Sequence, residues 1–278
     1  MSGDFLAGMA ASSRARSAAA QARVPARELR ARVADLPAAL ALALGAFDLI
    51  AEVKMRSPAM GLLKQGAEDD IGARVGTYAR AGAAAVSILT EPSRFDGSLE
   101  DLAAGARALA PLGVPAMRKD FLVDDYQVLE GRAAGASGVL AIIRMVPRAD
   151  LERLIDAALE LRMFVLLEAF DAPDIELAHV LIESRRDRRS LLLVGVNSRD
   201  LTTLEVVPGR LDALAASLPR DVKRVAESGV TTARDAARMA ACGYDLALVG
   251  SALMSAPDPA ALARAMLTEA RAAVKTRA

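Results

Sequence analysis

The sequence predicts an α/β fold, a (β/α)8 TIM barrel with a helical N-terminal extension. From residue 48 onward, eight short aliphatic runs typical of buried parallel strands alternate with eight segments whose apolar residues recur at the three-and-four spacing of amphipathic helices. The runs end about 23 to 36 residues apart, the length of one βα unit. A doubly wound sheet is the alternative, but its glycine-rich first turn is missing, because the first run is followed by KMRSPAMG.

The predicted strands follow one another without an intervening linker rich in proline, glycine or serine. Their sequences are LIAEVK, AAVSILT, VPAMRK, GVLAII, FVLLE, LLLVGVN, VKRVAE and DLALVG. The helix expected after the fourth strand carries its apolar face on Leu151, Leu154, Ile155, Ala158 and Leu159. We therefore expect residues 48–278 to form a single barrel domain.

Residues 1–47 are predicted to form a helical extension packed on the barrel. Residues 1–33 are rich in alanine, serine and arginine and poor in acids, which is also typical of a transit peptide. However, Pro25 directly precedes the helix-forming segment ARELRARV, and neither an apolar signal region nor a small-residue cleavage site is evident. These features favour the helical extension.

Composition and charge argue against nucleic-acid and membrane partners. Lys and Arg total 35 and Asp and Glu total 35, so the formal net charge is zero. The longest nearly unbroken apolar stretch, residues 36–47, is too short to span a bilayer. The single cysteine, Cys242, cannot form an intramolecular disulfide, which fits a reducing compartment, and we expect a cytoplasmic protein.

The first predicted strand carries two opposite charges in an otherwise apolar run. Residues two apart in a strand face the same side, so Ile50, Glu52 and Lys54 share one face. Outward positions of a barrel pack against apolar helices, so we expect this face to point inward, toward the end where TIM-barrel active sites lie. A structural ion pair between Glu52 and Lys54 explains the same pattern, because burying either charge alone is costly.

Four more predicted strands carry polar groups at or just after their carboxyl ends. These groups are Lys119, Glu168, Asn197 with Arg199 two residues further on, and Glu227 with Ser228. Because all strands of the barrel end at the same mouth, these side chains are predicted to converge in one site with perturbed protonation states.

The last two predicted strands end in turns that suit an anion. Gly229 follows Ser228, and Gly250 precedes Ser251, each where a strand gives way to a helix. Glycine allows close approach of a ligand, and NH groups at a helix start favour negative charge. Since many TIM barrels hold phosphate in the loops after strands seven and eight, we expect a phosphate site at Gly229, Gly250 and Ser251.

The chain resembles the indole-3-glycerol phosphate synthase family over nearly its whole length. The resemblance is carried in order by ARVPARELRA, IAEVK, SILTEPSRFDGSLEDL, RKDFLVDDYQVLEGRAAGASGVL, LLEAFD, VGVNSRDL, AESGV and LVGSALMSAPDP. The segments around LTEP and RKDF are specific to this family among phosphate-binding barrels. The resemblance implies closure of the pyrrole ring of 1-(2-carboxyphenylamino)-1-deoxyribulose 5-phosphate, with loss of carbon dioxide and water and without metal or organic cofactor.

The resemblance also implies a role for each candidate residue. Lys119 matches the family's general acid and Glu168 its general base, and burial among other cations is expected to lower the pKa of Lys119 towards neutrality. Lys54, with Glu52 beside it, matches the lysine that holds the substrate carboxylate or assists proton transfer. The other matches are Asn197 and Arg199 for substrate orientation, Glu227 and Ser228 in the ESG segment, Ser57, Gly229, Gly250 and Ser251 for phosphate, and Phe95 and Phe121 for the anthranilate ring or for core packing.

Two segments depart from the family pattern. After Lys54 the loop has Met55 and Arg56, with its basic residue displaced by one place, and Met60 replaces the family's second lysine. EVVPGRL also replaces the usual acidic continuation after the sixth strand. Both departures are compatible with a paralogue in a specialised indole pathway, and the loop after Lys54, which covers the substrate in the family, bears on substrate affinity and the reacting pose.

Other functions fit the residue inventory less well. Phosphoribosylanthranilate isomerase uses a cysteine near the end of its first strand, where this chain has Lys54. One histidine, His179, and one cysteine leave no zinc set and no Ser-His triad. A barrel that only binds a phosphate metabolite predicts a broken acid-base pair, yet Lys119 and Glu168 are both present. The expected partners are a small phosphorylated substrate and, by resemblance, other enzymes of the pathway.

Overall fold

Eight parallel strands close into a barrel in the computed structural model, which describes residues 5–57, 61–62 and 70–277. Each strand pairs with the strands before and after it in the chain, and the first pairs with the last, so the strand order is sequential around the barrel. In chain order the strands are β1 Asp48–Val53, β2 Ala85–Leu89, β3 Ala116–Lys119, β4 Gly138–Ile142, β5 Phe164–Ala169, β6 Leu192–Asn197, β7 Lys223–Glu227 and β8 Leu246–Val249. This closed barrel confirms the predicted fold class.

Helices precede the barrel and follow each of its strands. They are α1 Phe5–Arg23, α2 Ala26–Ala34, α3 Ile71–Arg80, α4 Pro92–Phe95, α5 Leu99–Leu109, α6 Asp125–Ala133, α7 Arg148–Glu160, α8 Ala172–Glu183, α9 Arg210–Leu214, α10 Ala233–Cys242, α11 Ser251–Ser255 and α12 Pro259–Arg277. A short antiparallel pair, Arg56–Ser57 with Gly61–Leu62, follows β1. No helix within the described ranges has the length and hydropathy needed to cross a bilayer.

The alternation of strand side chains separates two cores. Leu49, Ala51 and Val53 of β1 belong to the cluster between strands and helices. Ile50, two residues before Glu52, belongs to the separate cluster inside the barrel. The predicted inward face of β1 is therefore the observed one, and it carries Glu52 toward the carboxyl end of the barrel.

The N-terminal extension is held to the segment that follows β3. Arg16 of α1 donates to both carboxylate oxygens of Asp120, at 3.0 and 2.8 Å. Ser17 Oγ donates to Asp124 Oδ2 at 2.7 Å. α2 begins directly after Pro25, as predicted, and buries Leu29 against α6. On these contacts we propose that residues 1–47 are an extension of a single barrel domain at 48–278.

Candidate active site

A pocket of about 230 Å³ lies inside the carboxyl ends of the strands, where the polar strand ends were expected to converge. Its lining includes residues from β1 through the segment after β8. The predicted site residues that line it are Glu52, Lys54, Phe95, Lys119, Phe121, Glu168, Asn197, Arg199, Glu227, Ser228, Gly229, Gly250 and Ser251. Thirteen of the fourteen candidates thus share one cavity, since only Ser57 is missing from this set, and its side chain lies outside the described part of the chain.

Glu52 and Lys54 form the ion pair that the first strand suggested. Lys54 Nζ donates to Glu52 Oε1 at 2.5 Å, and the side chains are 13% and 4% exposed. Burial acts to raise the pKa of Glu52, but the nearby cations Lys54, Lys119 and Arg199 outweigh it and hold that pKa below its ordinary value. The pair therefore satisfies two buried charges while it also lines the pocket.

Lys119 lies between two buried carboxylates. Its Nζ is 3.7 Å from Glu168 Oε1 and 3.9 Å from Glu227 Oε2. Burial acts to lower the pKa of Lys119, but the charges of Glu168, Glu227 and Glu52 raise it above its ordinary value. The expectation of a lowered pKa was wrong, because the neighbours that dominate are carboxylates rather than cations.

Glu227 is the carboxylate of this cluster that lacks a hydrogen bond. Both of its oxygens are buried without a hydrogen-bond partner. Burial, and then repulsion by Glu168, raise its pKa well above the ordinary value, while Lys119 acts in the opposite direction. The raised pKa favours the neutral form of Glu227, and the cations Lys54, Lys119 and Arg199 then outnumber the charged acids Glu52 and Glu168, which suits an anionic ligand.

Asn197 and Arg199 connect this cluster to the segment that follows β6. Asn197 Nδ2 donates to Glu168 Oε1 at 2.6 Å, and its Oδ1 accepts from the Arg199 backbone NH at 2.9 Å. Arg199 Nη1 donates to the Leu204 carbonyl at 2.5 Å. The same amide side chain therefore orients Glu168 and shapes the turn that carries Arg199.

The expected phosphate residues occupy two neighbouring turns of the rim. Ser228 and Gly229 have φ angles of 63° and 76°, the left-handed conformation that is costly for Ser228. Ser198 Oγ donates to the Ser228 carbonyl at 2.9 Å and helps to hold this turn. Gly250 is the N-cap of α11, which begins at Ser251. The geometry brings the candidates together, and their phosphate contact stays a prediction.

An aromatic wall, formed by Phe5, Phe95 and Phe121, lines one side of the pocket. The rings of Phe95 and Phe121 have centroids 6.1 Å apart, and that of Phe5 meets Phe121 edge-on at 5.8 Å. The sequence predicted Phe95 and Phe121 but missed Phe5. No local pattern distinguishes a phenylalanine near the N-terminus, which joins the wall only because α1 docks there.

Asp120 is a second pocket residue that the sequence analysis missed. Besides the two Arg16 bonds, it accepts from Thr90 Oγ1 at 2.8 Å, Arg118 Nη2 at 3.2 Å and the Phe121 backbone NH at 2.8 Å. Arg118 is itself almost fully buried. An acid directly after Lys119 in the RKDF segment was a usable signal. Its role is to secure the turn that leads from Lys119 to Phe121.

The single histidine takes no part in the pocket. His179 is exposed on α8, where its Nε2 lies 3.0 Å from the Ser217 carbonyl oxygen. This position gives His179 a surface role. Among the residues that the structure describes, no group of three or more His, Cys, Asp or Glu side chains is placed to hold a metal ion.

Sequence comparison identifies related proteins across most of the chain. The family model described as indole-3-glycerol phosphate synthase matches residues 6–266. An indole-3-glycerol phosphate synthase of Albidiferax ferrireducens is 42% identical over 265 residues, which cover 92% of this chain and 95% of that protein. One of a Nocardioides strain is 41% identical, over 86% of this chain and 92% of its own length.

Two further comparisons are informative in different ways. A multifunctional tryptophan biosynthesis protein of Schizosaccharomyces pombe is 40% identical over 79% of this chain, which spans 28% of that longer protein. Among solved structures, 3-hexulose-6-phosphate synthase superposes with a TM-score of 0.59 at 17% identity, over 82% of this chain and 100% of its own. At that identity the superposition supports the fold alone.

Proposed function

The chain belongs to the indole-3-glycerol phosphate synthase family, and we propose that it converts 1-(2-carboxyphenylamino)-1-deoxyribulose 5-phosphate to indole-3-glycerol phosphate. Membership of this family makes the chain a carboxy-lyase of tryptophan biosynthesis. The observation that carries the assignment of roles is the position of Lys119, within 4 Å of both Glu168 and Glu227 in the pocket.

The first chemical step is ring closure onto the ketone carbon. Carbon–carbon bond formation moves an electron pair onto the ketone oxygen, and Lys119 donates a proton to the developing alkoxide. The raised pKa of Lys119 supports this role in one respect, since it keeps the ammonium protonated at neutral pH. The ammonium group gives up its proton only when the ketone oxygen has become more basic than the lysine amine, and this happens as the carbon–carbon bond forms.

Decarboxylation and dehydration follow. Cleavage of the bond to the carboxylate releases carbon dioxide, and its electron pair neutralises the iminium of the closed ring. Glu168 then removes a proton from the new five-membered ring while the hydroxyl group leaves as water with a proton from an acid, and this loss of water makes the pyrrole ring aromatic. The Asn197 amide, 2.6 Å from Glu168 Oε1, holds this base in position.

We propose that these steps need no metal and no organic cofactor. Each one moves protons and electron pairs within the substrate and the side chains of the pocket, and none changes the overall redox state.

Lys54 and Arg199 supply positive charge for the substrate carboxylate, and the aromatic wall supplies an apolar surface for the anthranilate ring. The turns at Ser228, Gly229, Gly250 and Ser251 are the proposed phosphate site.

The test is to mix purified protein with the synthetic substrate and follow indole fluorescence together with release of carbon dioxide, before and after treatment with a chelator. We expect turnover that is insensitive to the chelator. Lys119→Ala and Glu168→Ala should each lose nearly all turnover while circular dichroism stays unchanged. Near-normal turnover in either variant would contradict the assignment of Lys119 and Glu168 as the acid-base pair.

A second candidate is a paralogue that serves a specialised indole pathway, and the unusual segment after β1 favours it. Arg56 forms an ion pair with Asp96 at 2.9 Å, beside Phe95 of the aromatic wall, whereas Met60 lies outside the described residues. Binding of the substrate without turnover would favour the specialised paralogue or a barrel that only binds a phosphate metabolite.

We further propose a cytoplasmic location and association with other enzymes of the pathway.

A further inference from the structure

Gly195 occupies an inward position of the barrel wall. It lies on β6, paired with Glu168 of β5 and Val225 of β7, and shares the inward face with Asn197 two residues later. Inward positions of a TIM barrel are ordinarily filled by side chains that pack the interior. A glycine here leaves a space in the barrel interior beside Glu227, which itself lines the pocket.

The carboxylate of Glu227 fills that space. A Cβ atom placed on Gly195 would lie 2.1 Å from Glu227 Oε1, 3.0 Å from its Cδ and 3.1 Å from Leu166 Cδ1. Glu227 is level with Asn197 in the register of β6 and β7. Its side chain therefore folds back by one inward position, away from the mouth and onto Gly195.

A second acid of the site, on the adjacent pair of strands β8 and β1, has the same arrangement. A Cβ atom on Gly250 would lie 2.2 Å from Glu52 Oε1 and 3.0 Å from Lys54 Nζ. Two acids of the pocket thus each rest against a glycine of a neighbouring chain segment, Gly195 within β6 and Gly250 directly after β8. Because the contact recurs on a separate part of the wall, it is a feature of how this pocket houses carboxylates.

The space beside Gly195 that the Glu227 carboxylate occupies, called the seat below, explains the environment of Glu227. Both oxygens are buried without a hydrogen-bond partner, and Oε2 stays 3.9 Å from Lys119 Nζ. A side chain at residue 195 would displace the carboxylate toward the mouth, where water would solvate it and where it would take up substrate volume. The burial that raises the pKa of Glu227 depends on the missing side chain.

We propose that Gly195 is a positioning residue, whose lack of a side chain seats the Glu227 carboxylate against the barrel wall and thereby places Lys119 between Glu227 and Glu168. The catalytic consequence rests on the proposed function, whereas the seat itself does not. Residue 195 touches no reacting atom and acts through Glu227.

The kinetic test is a double-mutant cycle of Gly195→Ala with Glu227→Asp. A misplacement of about 1 Å in a catalytic group can cost about a hundredfold, so we expect Gly195→Ala to lower kcat by roughly tenfold to a hundredfold with a smaller change in KM. Aspartate is one methylene shorter and leaves room for the alanine methyl group. In the Glu227→Asp background we therefore expect Gly195→Ala to have little further effect. An equal loss in both backgrounds would overturn the proposal.

Gly105→Ala is the matched control for overpacking. A Cβ atom on Gly105 would lie 2.4 Å from Ile88 Cδ1, also the end of a flexible side chain, and Gly105 is on α5 outside the pocket. We expect it to keep the kcat of the unaltered chain. A loss of kcat in Gly105→Ala equal to that in Gly195→Ala would assign the effect to packing and overturn the proposal.

Titration of Glu227 provides a readout that needs no turnover. Carboxyl ¹³C signals of glutamate-labelled protein, assigned with Glu227→Gln, report its pKa directly. We expect Gly195→Ala to lower this pKa towards the ordinary value, because the carboxylate enters water, and Gly105→Ala to leave it unchanged. An unchanged titration in folded Gly195→Ala overturns the seat. If the unaltered chain lacks synthase activity but the titration shifts, the proposed function fails and the seat stands.

Discussion

Replacement of Arg16 by methionine tests how the N-terminal extension is fastened beside the catalytic lysine. Arg16 is about one quarter exposed, whereas the Asp120 side chain with which it forms an ion pair is fully buried. Arg16, Arg118 and Thr90 together outweigh burial and lower the pKa of Asp120 from 3.8 to about 2. At about 1.4 kcal/mol for each pKa unit, this shift corresponds to about 2–3 kcal/mol of stability.

Arg16 supplies only part of that stabilisation. Asp120 retains its bonds from Arg118, Thr90 and the Phe121 NH when Arg16 is removed, so the full cost of orphaning a buried charge does not apply. We expect Arg16→Met to lower the free energy of unfolding by about 1–2 kcal/mol at pH 7. In a chain of this size, Tm should fall by about 2–6 °C.

The loss should depend on pH in a defined direction. Asp120 has a depressed pKa in the folded state, so its stabilisation is present above pH 3.8 and is lost as the pH falls through about 2. Without Arg16 the folded pKa rises towards its ordinary value. The difference between the two proteins should therefore be constant from pH 7 to about pH 4.5 and shrink at pH 3.

Urea unfolding of the full chain at pH 7, 4.5 and 3 measures this difference. Arg14→Met is the control, because Arg14 is exposed on the same helix, and its effect should stay within about 0.5 kcal/mol. A loss in Arg16→Met that is the same at pH 3 as at pH 7 would refute the electrostatic reasoning and assign Arg16 a packing role.

Three further predictions concern the pocket. Glu227→Gln should raise Tm at neutral pH and have no effect near pH 4. The pKa of Glu227 is higher in the folded than in the unfolded protein, so ionisation of this group lowers stability as the pH rises above its unfolded-state pKa, and glutamine removes that loss. Equal Tm shifts at pH 4 and pH 7 would contradict this. Asn197→Ala should lower kcat by about tenfold to a hundredfold, since Glu168 loses a charge-assisted bond of about 1.5–3 kcal/mol, and an unchanged kcat in single-turnover assays would count against that role. Phe5→Ala should raise KM by about threefold to tenfold with kcat unchanged, because Phe121 loses its edge-on contact with the Phe5 ring. An unchanged KM in steady-state kinetics would show that Phe5 does not contribute to substrate binding.

The sequence predicted the barrel because its signal is local and repeated. β1 and β6 were expected at 49–54 and 191–197 and lie at Asp48–Val53 and Leu192–Asn197. Strand alternation also placed Glu52 on the inward face, and strand order alone brought Lys119, Glu168 and Glu227 to one mouth. These conclusions need only the period of a strand and the direction of parallel strands.

The protonation state of Lys119 could not be obtained in the same way. Its pKa depends on which charges lie within a few ångströms, and those charges come from β1, β5 and β7, far apart in the chain. Sequence reasoning placed cations around it, whereas folding placed Glu168 and Glu227 there. The direction of the shift was therefore decided by tertiary contacts.

The residues that close the site belong to the same class. Phe5 joins the aromatic wall only because Arg16 and Ser17 dock α1 on the segment after β3. Gly195 matters because a side chain from the next strand folds onto it. The amino-acid sequence by itself determined the strand repeat, the inward faces and the identity of the charged groups, because these follow from local periodicity. Only the tertiary structure decided distances, partners and protonation, because each of these is set by atoms that are remote in sequence.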